Sequence, residues 1–188
     1  GEDTGLPSES DGGDGSDGPE DTGEVDQPAE TITYAYGDDD SLLYVQVWKD
    51  EDAWGSGWAH DHVIRASNWA GAIDYNVEDL DECTMSFSLP VDDLIVDEDS
   101  MREYVGLEGT LSSSDRDTVK EHMLGSDQLY SDRYSEISFD SSSCAYGNSS
   151  ANTLVVLGSL TIRGQSDQVS VELDFNLRGD QLYLSGDL

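Results

Sequence analysis

WAHDHVIRASNWAGAIDY, residues 58–75, is the stretch on which the fold turns. It has no proline and carries two of the three histidines and two of the four tryptophans. Read as extended chain, it puts Asp61, Val63, Arg65, Ser67, Trp69, Gly71, Ile73 and Tyr75 on one face. His60, His62, Ile64, Ala66, Asn68, Ala70 and Ala72 fall on the other. At about 3.3 Å per residue the stretch would span nearly 60 Å, too long for one flat strand in a small domain. A bend is therefore expected near Ala66 to Asn68 or at Gly71. Long bent strands suit a barrel, where glycines and bulges turn the corners.

Outward from this stretch the texture is mostly that of strands. Thr31–Tyr36 and Leu42–Trp48 are rich in Val, Tyr, Trp and Thr and flank the turn Gly37-Asp38-Asp39-Asp40. In Cys83–Leu89, Met85, Phe87 and Leu89 alternate with Thr84, Ser86 and Ser88, and Pro90 ends the ladder or sets it at an edge. Leu94-Ile95-Val96 reads as a short continuation. Ile137 and Phe139, then Leu154–Ile162 with a break at Gly158, then Val169 to Leu177, follow as strands. Leu182 and Leu184 come after a Gly179-Asp180 turn. Helical signals lie only in the middle: Asp99-Ser100 capping a short helix to Val105 before Gly106, and Ser114-Asp115-Arg116-Asp117 opening a helix to about Leu124. In the second, Val119, His122 and Met123 form the stripe expected to be buried, and Gly125 the stop. About eight strands in a meander with one helical insertion imply an all-β sandwich or antiparallel barrel.

Charge narrows the partners. The chain carries −34, from 42 acidic and 8 basic residues, and repels nucleic acid and anionic lipid surfaces alike. Residues 1–30 hold 11 of the acids, no Lys or Arg, and almost nothing but Gly, Asp, Glu, Ser, Pro and Thr. Such a segment cannot bury enough apolar surface to offset its ordering entropy, so a disordered tether or linker is expected, ahead of a folded domain over 31–188. Gly1 reads as a processed or truncated start, and the tether suits a surface protein with a lipid anchor upstream. No apolar run is long enough for a transmembrane segment. Cys83 and Cys144 are either two separate buried thiols or one disulfide, the latter implying an oxidising compartment.

Taken together, three stretches resemble the YceI-like family, the lipocalin-like barrels that hold polyisoprenoid lipids. They are His60-Asp61-His62 with the Trp69-x-Gly71-x-Ile73 pattern, Ser114-Asp115-Arg116-Asp117 with Met123-Leu124 and Leu129, and Arg133-Tyr134-Ser135-Glu136-Ile137-Ser138-Phe139-Asp140-Ser141. Val156-Leu157-Gly158-Ser159-Leu160-Thr161-Ile162-Arg163-Gly164-Gln165 follows the family's Gly-x-Leu-Thr-Leu-x-Gly-x-Thr run. The likeness spans Thr31–Leu188. It departs at Ser135, where the family has proline, and at Leu188, beyond which the family runs through a Ser-Asp-Phe-Gly segment and a final strand. The resemblance implies an antiparallel lipocalin-like barrel whose interior encloses a long isoprenoid chain, such as the tail of a ubiquinone-like lipid, in an exported protein of the bacterial periplasm or cell surface. No cofactor is required, the partner is a hydrophobic small molecule, and a homodimer is compatible with the reading.

Under that reading the ligand-binding residues are Trp58, His60, His62, Ile64, Trp69, Met85, Phe87, Leu89, Arg116, Met123, Ile137, Phe139, Val171, Leu173 and Phe175. The headgroup would sit near Trp58, His60, His62 and Arg116. Trp54, Trp58 and Trp69 are expected to cluster at one mouth, with Trp48 in the core. The apolar members of this set are equally what a packed core would use. His60 and His62 also have the spacing of a two-ligand metal site, with His122 approaching from the helix, so a metal-binding envelope protein is one alternative. A solid-core interaction module with an acidic surface is the other. No Gly-x-Ser-x-Gly elbow exists and no carboxylate pair stands out, so an enzyme is not expected.

Overall fold

A computed structural model describes residues 29–49, 60–147 and 152–187. The tether expected over 1–30 lies almost wholly outside them, as do Trp54 and Trp58. Among the described residues, ten strands and two α-helices follow in the order β1 (Ile32–Gly37), β2 (Tyr44–Val47), β3 (His62–Arg65), β4 (Ala70–Tyr75), β5 (Thr84–Pro90), β6 (Ile95–Val96), α1 (Asp99–Tyr104), α2 (Ser113–Leu124), β7 (Glu136–Tyr146), β8 (Thr153–Ile162), β9 (Gln165–Arg178) and β10 (Gln181–Asp187). One sheet has seven strands in the order β1-β4-β5-β7-β8-β9-β10; the other is β2-β3-β6; every pairing is antiparallel.

The seven-stranded sheet curls into a nearly closed barrel. β4 and β9 stand four strand spacings apart, about 19 Å on a flat sheet, yet the rings of Tyr75 and Phe175 lie 5.8 Å apart. Tyr75 Oη also meets Tyr146 Oη at 2.9 Å from two strands away. Only strong curvature brings these side chains together.

The expected long strand is in fact two. The chain leaves the small sheet after Arg65 and enters the large one at Ala70, turning at Asn68 with φ 52°. Asn accepts that left-handed backbone better than most residues. Ser67 Oγ donates to the Asp93 carbonyl at 2.6 Å, and the Asn68 N–H to Asp38 at 2.8 Å, so the corner is held from both sides. The Leu94–Val96 segment does not continue β5 but pairs with β3 in the small sheet. Nor does β8 break at Gly158: the ring of Phe139 packs on the bare Cα there, where a Cβ would lie 2.4 Å from the ring.

Two hairpin details follow from chain chemistry. Arg163 (φ 53°) and Gly164 (φ 66°) make a two-residue loop between β8 and β9, whose paired positive φ values match the right-handed twist of the flanking strands. The cap of α2 is Ser112 rather than Ser114: Ser112 Oγ accepts from the Asp115 N–H and donates to the Asp115 carboxylate. Of the expected stripe, Val119 and Met123 are half-buried and His122 is exposed. Gly125 caps α2 with φ −64°, so the helix ends without a left-handed glycine. Trp48, expected in the core, is 62% exposed.

Candidate functional site

Directly paired residues on neighbouring strands share a face, so the registers define the barrel's lining. Tyr34 opposes Ile73, and Ile73 opposes Met85. Phe87 opposes both Gly71 and Phe139, Leu89 opposes Ile137, and Phe139 opposes Leu160. Val156 opposes Val171, Leu154 opposes Leu173, and Phe175 opposes Leu184. The result is one apolar inner surface crossing all seven strands.

The expected ligand-binding residues divide along this surface. Leu89, Phe139, Leu173 and Trp69 are buried. Met85, Phe87, Ile137, Val171 and Phe175 are half-buried although they face inward, as are Tyr34, Val169, Leu182 and Leu184. Five of these half-buried residues lie on β9 and β10, one on β1, and Met85, Phe87 and Ile137 on the central strands β5 and β7.

The two ends of the lining differ. At one, the buried Tyr75 packs against the half-buried Phe175, whose ring lies 6.1 Å from that of Tyr146; Tyr146 is 42% exposed, with its hydroxyl 3.2 Å from the Val77 carbonyl. Burial first, then the bond to Tyr146, raises the Tyr75 phenol above its ordinary value, so it stays neutral. Beside it a disulfide joins Cys83 to Cys144. A bulge between Ser141 and Ser143 is what lets Cys144 face inward, because one extra residue switches which side of β7 the later side chains occupy. At the other end Trp69, Leu89, Val91 and Leu94 form a second cluster with Tyr36, Ile64, Phe87, Met123, Leu124, Leu129 and Ile137. Ile64 and Met123, both expected to contact ligand, are half-buried here. Burial pushes the Tyr36 phenol up to about 12.

The expected polar headgroup set, Trp58, His60, His62 and Arg116, is described only in part. Trp58 lies outside the described residues and His60 is exposed. His62 and Arg116 instead converge on Asp97, a fully buried residue that sequence reasoning did not single out. The Asp97 carboxylate accepts from His62 Nδ1 at 2.6 Å, the Val63 N–H at 3.1 Å and an Arg102 guanidinium N–H at 2.8 Å. Arg102, itself buried, donates further to the Asp61, Glu108 and Gly109 carbonyls. Arg116 donates to the Asp97 carbonyl at 3.3 Å and to Asp99 at 3.2 Å. Burial alone would raise the Asp97 carboxyl, but the bonds from His62, Val63 and Arg102 outweigh it and hold the group below its usual value. These side chains are committed to a structural knot. Asp97 sits in an acidic run that gave it no distinction; the rarity of arginine was the one available signal for Arg102. Among the described residues no group of three or more His, Cys, Asp or Glu is placed to hold a metal, so the trio His60, His62 and His122 does not form a site. Two shallow surface clefts of about 460 and 420 Å³ flank α1 and α2, outside the barrel.

Comparison with known proteins agrees with this architecture. A family model described as "YceI-like domain" matches residues 55–187, a narrower span than Thr31–Leu188 because β1 and β2 precede it. A search of the curated proteins returned no match. Among solved structures, BcnA of Burkholderia cenocepacia is similar at 16% identity and TM-score 0.51, over 66% of this chain and 65% of that one. The YceI protein of Campylobacter jejuni is similar at 13% identity and TM-score 0.43, over 60% of this chain and 54% of that one. This chain therefore spans just under two thirds of the first structure's length and about half of the second's.

Proposed function

Because the chain belongs to the YceI-like family, whose barrels bind hydrophobic ligands and are generally not enzymes, we propose that it sequesters a long-chain isoprenoid lipid along the inner face of its seven-stranded sheet. The observation that carries this reading is the continuous apolar lining, half-accessible along β9, β10 and β1. Each isoprene unit removed from water contributes on the order of 2–3 kcal/mol before ordering costs, so affinity grows with chain length and needs little polar chemistry. Export to an oxidising envelope compartment fits the Cys83–Cys144 disulfide. In this reading residues 1–30 serve as an acidic tether. No helix among the described residues is long and apolar enough to cross a membrane.

Native mass spectrometry after gentle purification tests the proposal. A co-purified apolar molecule of several hundred daltons is expected, or uptake of an added prenyl lipid by delipidated protein. Leu184→Arg, at a half-buried inward position on β10, should abolish retention while the fold survives. If the wild type neither retains nor takes up any lipid, the barrel is solid. The packing of Tyr75 against Phe175 favours that second reading at one end.

A further inference from the structure

Among the described residues, β1 and β10 each pair on one side only, so the seven-stranded sheet ends in two open edges. Every pairing in it is antiparallel and reverses direction, and an odd number of strands sends β10 the same way as β1. The two edges therefore cannot pair antiparallel with each other, whereas one strand running opposite to both pairs antiparallel with each. Inward side chains at these edges are partly uncovered. Ile32, which opposes the inward Tyr75, is 51% exposed; Tyr34, Tyr36, Leu182 and Leu184 also face inward and are half-buried. Natural sheet edges are blunted by Lys, Pro or bulges. β1 (ITYAYG) and β10 (QLYLSGD) contain no Lys or Pro and show no register shift against their neighbours.

We propose that the seam between β1 and β10 is the docking site for one extended segment of another polypeptide, which enters antiparallel to both edges and carries alternating apolar and basic side chains. The inference does not depend on the lipid reading. Open sheet edges recognise an added strand through backbone hydrogen bonds, and this seam offers two ladders at once. Side chains alternate between faces along such a segment. Those turned inward would meet Tyr34, Tyr36, Leu182 and Leu184, which call for apolar groups. Those turned outward would meet acids. On the β10 side Asp187 opposes Glu172 and Ser185 opposes Asp174; on the β1 side Thr33 opposes Asp74. The only Lys or Arg on β1, β9 or β10 is Arg178, which lies over the Tyr183 ring at 5.2 Å beside the turn. Charge also separates this occupant from the two others at hand. Residues 1–30 hold 11 acids, no Lys or Arg and no alternating apolar run, and a second copy brings its own −34 to an acidic rim.

The probe is a fluorescently labelled peptide, Lys-Val-Lys-Val-Lys-Val-Lys, as long as β10 and with the required alternation. Added to the 188-residue chain, it should bind one to one, and amide hydrogen exchange should slow in β1 and β10 together. The same peptide with Glu in place of Lys should bind about tenfold more weakly or worse, through charge. N-methylation of the valines, whose N–H groups all point to one flank, should weaken binding by about as much, through the loss of one ladder. Ile32→Lys turns a charge into the seam at a position already half exposed, and should weaken the probe about tenfold. Should Ile32→Lys not fold, the N-methylated peptide carries the test on the wild type. Failure of the probe to bind, equal affinity for the acidic or N-methylated peptide, or protection that misses either edge overturns the proposal. So does a dimeric wild type that Ile32→Lys makes monomeric, which would give the seam to a second copy. Faster exchange in β1 and β10 on deleting residues 1–28 would give it to the tail, and overturns the proposal as well.

Discussion

Asp97 is the residue on which the α1 region depends. With φ 49° and no solvent contact, it accepts bonds from His62, Val63 and Arg102 and sits under Arg116. Asparagine tolerates the same backbone, so Asp97→Asn isolates the charge. It leaves the Arg102 guanidinium buried without its carboxylate, and a loss of about 3 kcal/mol or more is expected in urea unfolding at pH 7. The sign with pH is set by the lowered carboxyl. A group whose folded value lies below its unfolded value stabilises fully above the unfolded value, about 3.9, and loses that contribution as pH falls toward the folded one. The gap between wild type and Asp97→Asn should therefore narrow below about pH 4. A gap of the same size at pH 7 and pH 3 would sink the assignment.

At the scale of elements, close approaches between strands decide which residues are irreplaceable. A Cβ on Gly158 would lie 2.4 Å from the Phe139 ring and 2.7 Å from the Asp140 carbonyl oxygen, and the latter is backbone that cannot step aside. Gly158→Ala should cost about 2–3 kcal/mol by overpacking. Gly179, in the β9–β10 turn with φ 65°, has nothing within reach, so Gly179→Ala should cost only about 1 kcal/mol of backbone strain. Chemical denaturation of both variants checks the ranking; equal costs would mean that the Phe139 packing is looser than described. The disulfide closes a loop of sequence separation 61, for which chain entropy gives up to about 4 kcal/mol. Replacing both cysteines with alanine should lower stability by about 2–4 kcal/mol, and an unchanged melting temperature would argue that the bond is absent in solution.

The molecule as a whole is under strong self-repulsion. Its −34 is not confined to the tail, since the chain beyond residue 30 carries −23 by itself. Added salt shortens the range of that repulsion from about 10 Å at 0.1 M to about 3 Å at 1 M. Between those concentrations the melting temperature should rise by about 5 °C or more, followed by calorimetry. A flat or falling curve would mean that the acids are already offset by local partners, as Asp74 is by the hydroxyls of Thr33 and Thr84.

Period-two alternation, turn residues and the family resemblance were enough to settle the all-β barrel class, the positions of nearly every strand and the apolar lining from Met85 to Phe175, because each depends on neighbours in the chain. Contacts between distant segments were out of reach. The residue that receives His62 and Arg116 lies 35 and 19 positions away from them, so two side chains read as headgroup ligands became parts of a knot around Asp97. A single extra residue at Ser141–Ser143 reversed the face of β7 and turned Cys144 toward Cys83, which simple alternation from Ile137 and Phe139 could not foresee. Curvature did the rest: it brought Tyr75 against Phe175 across four strands. Periodicity records which way a side chain faces, and only the closed surface fixes what it meets there.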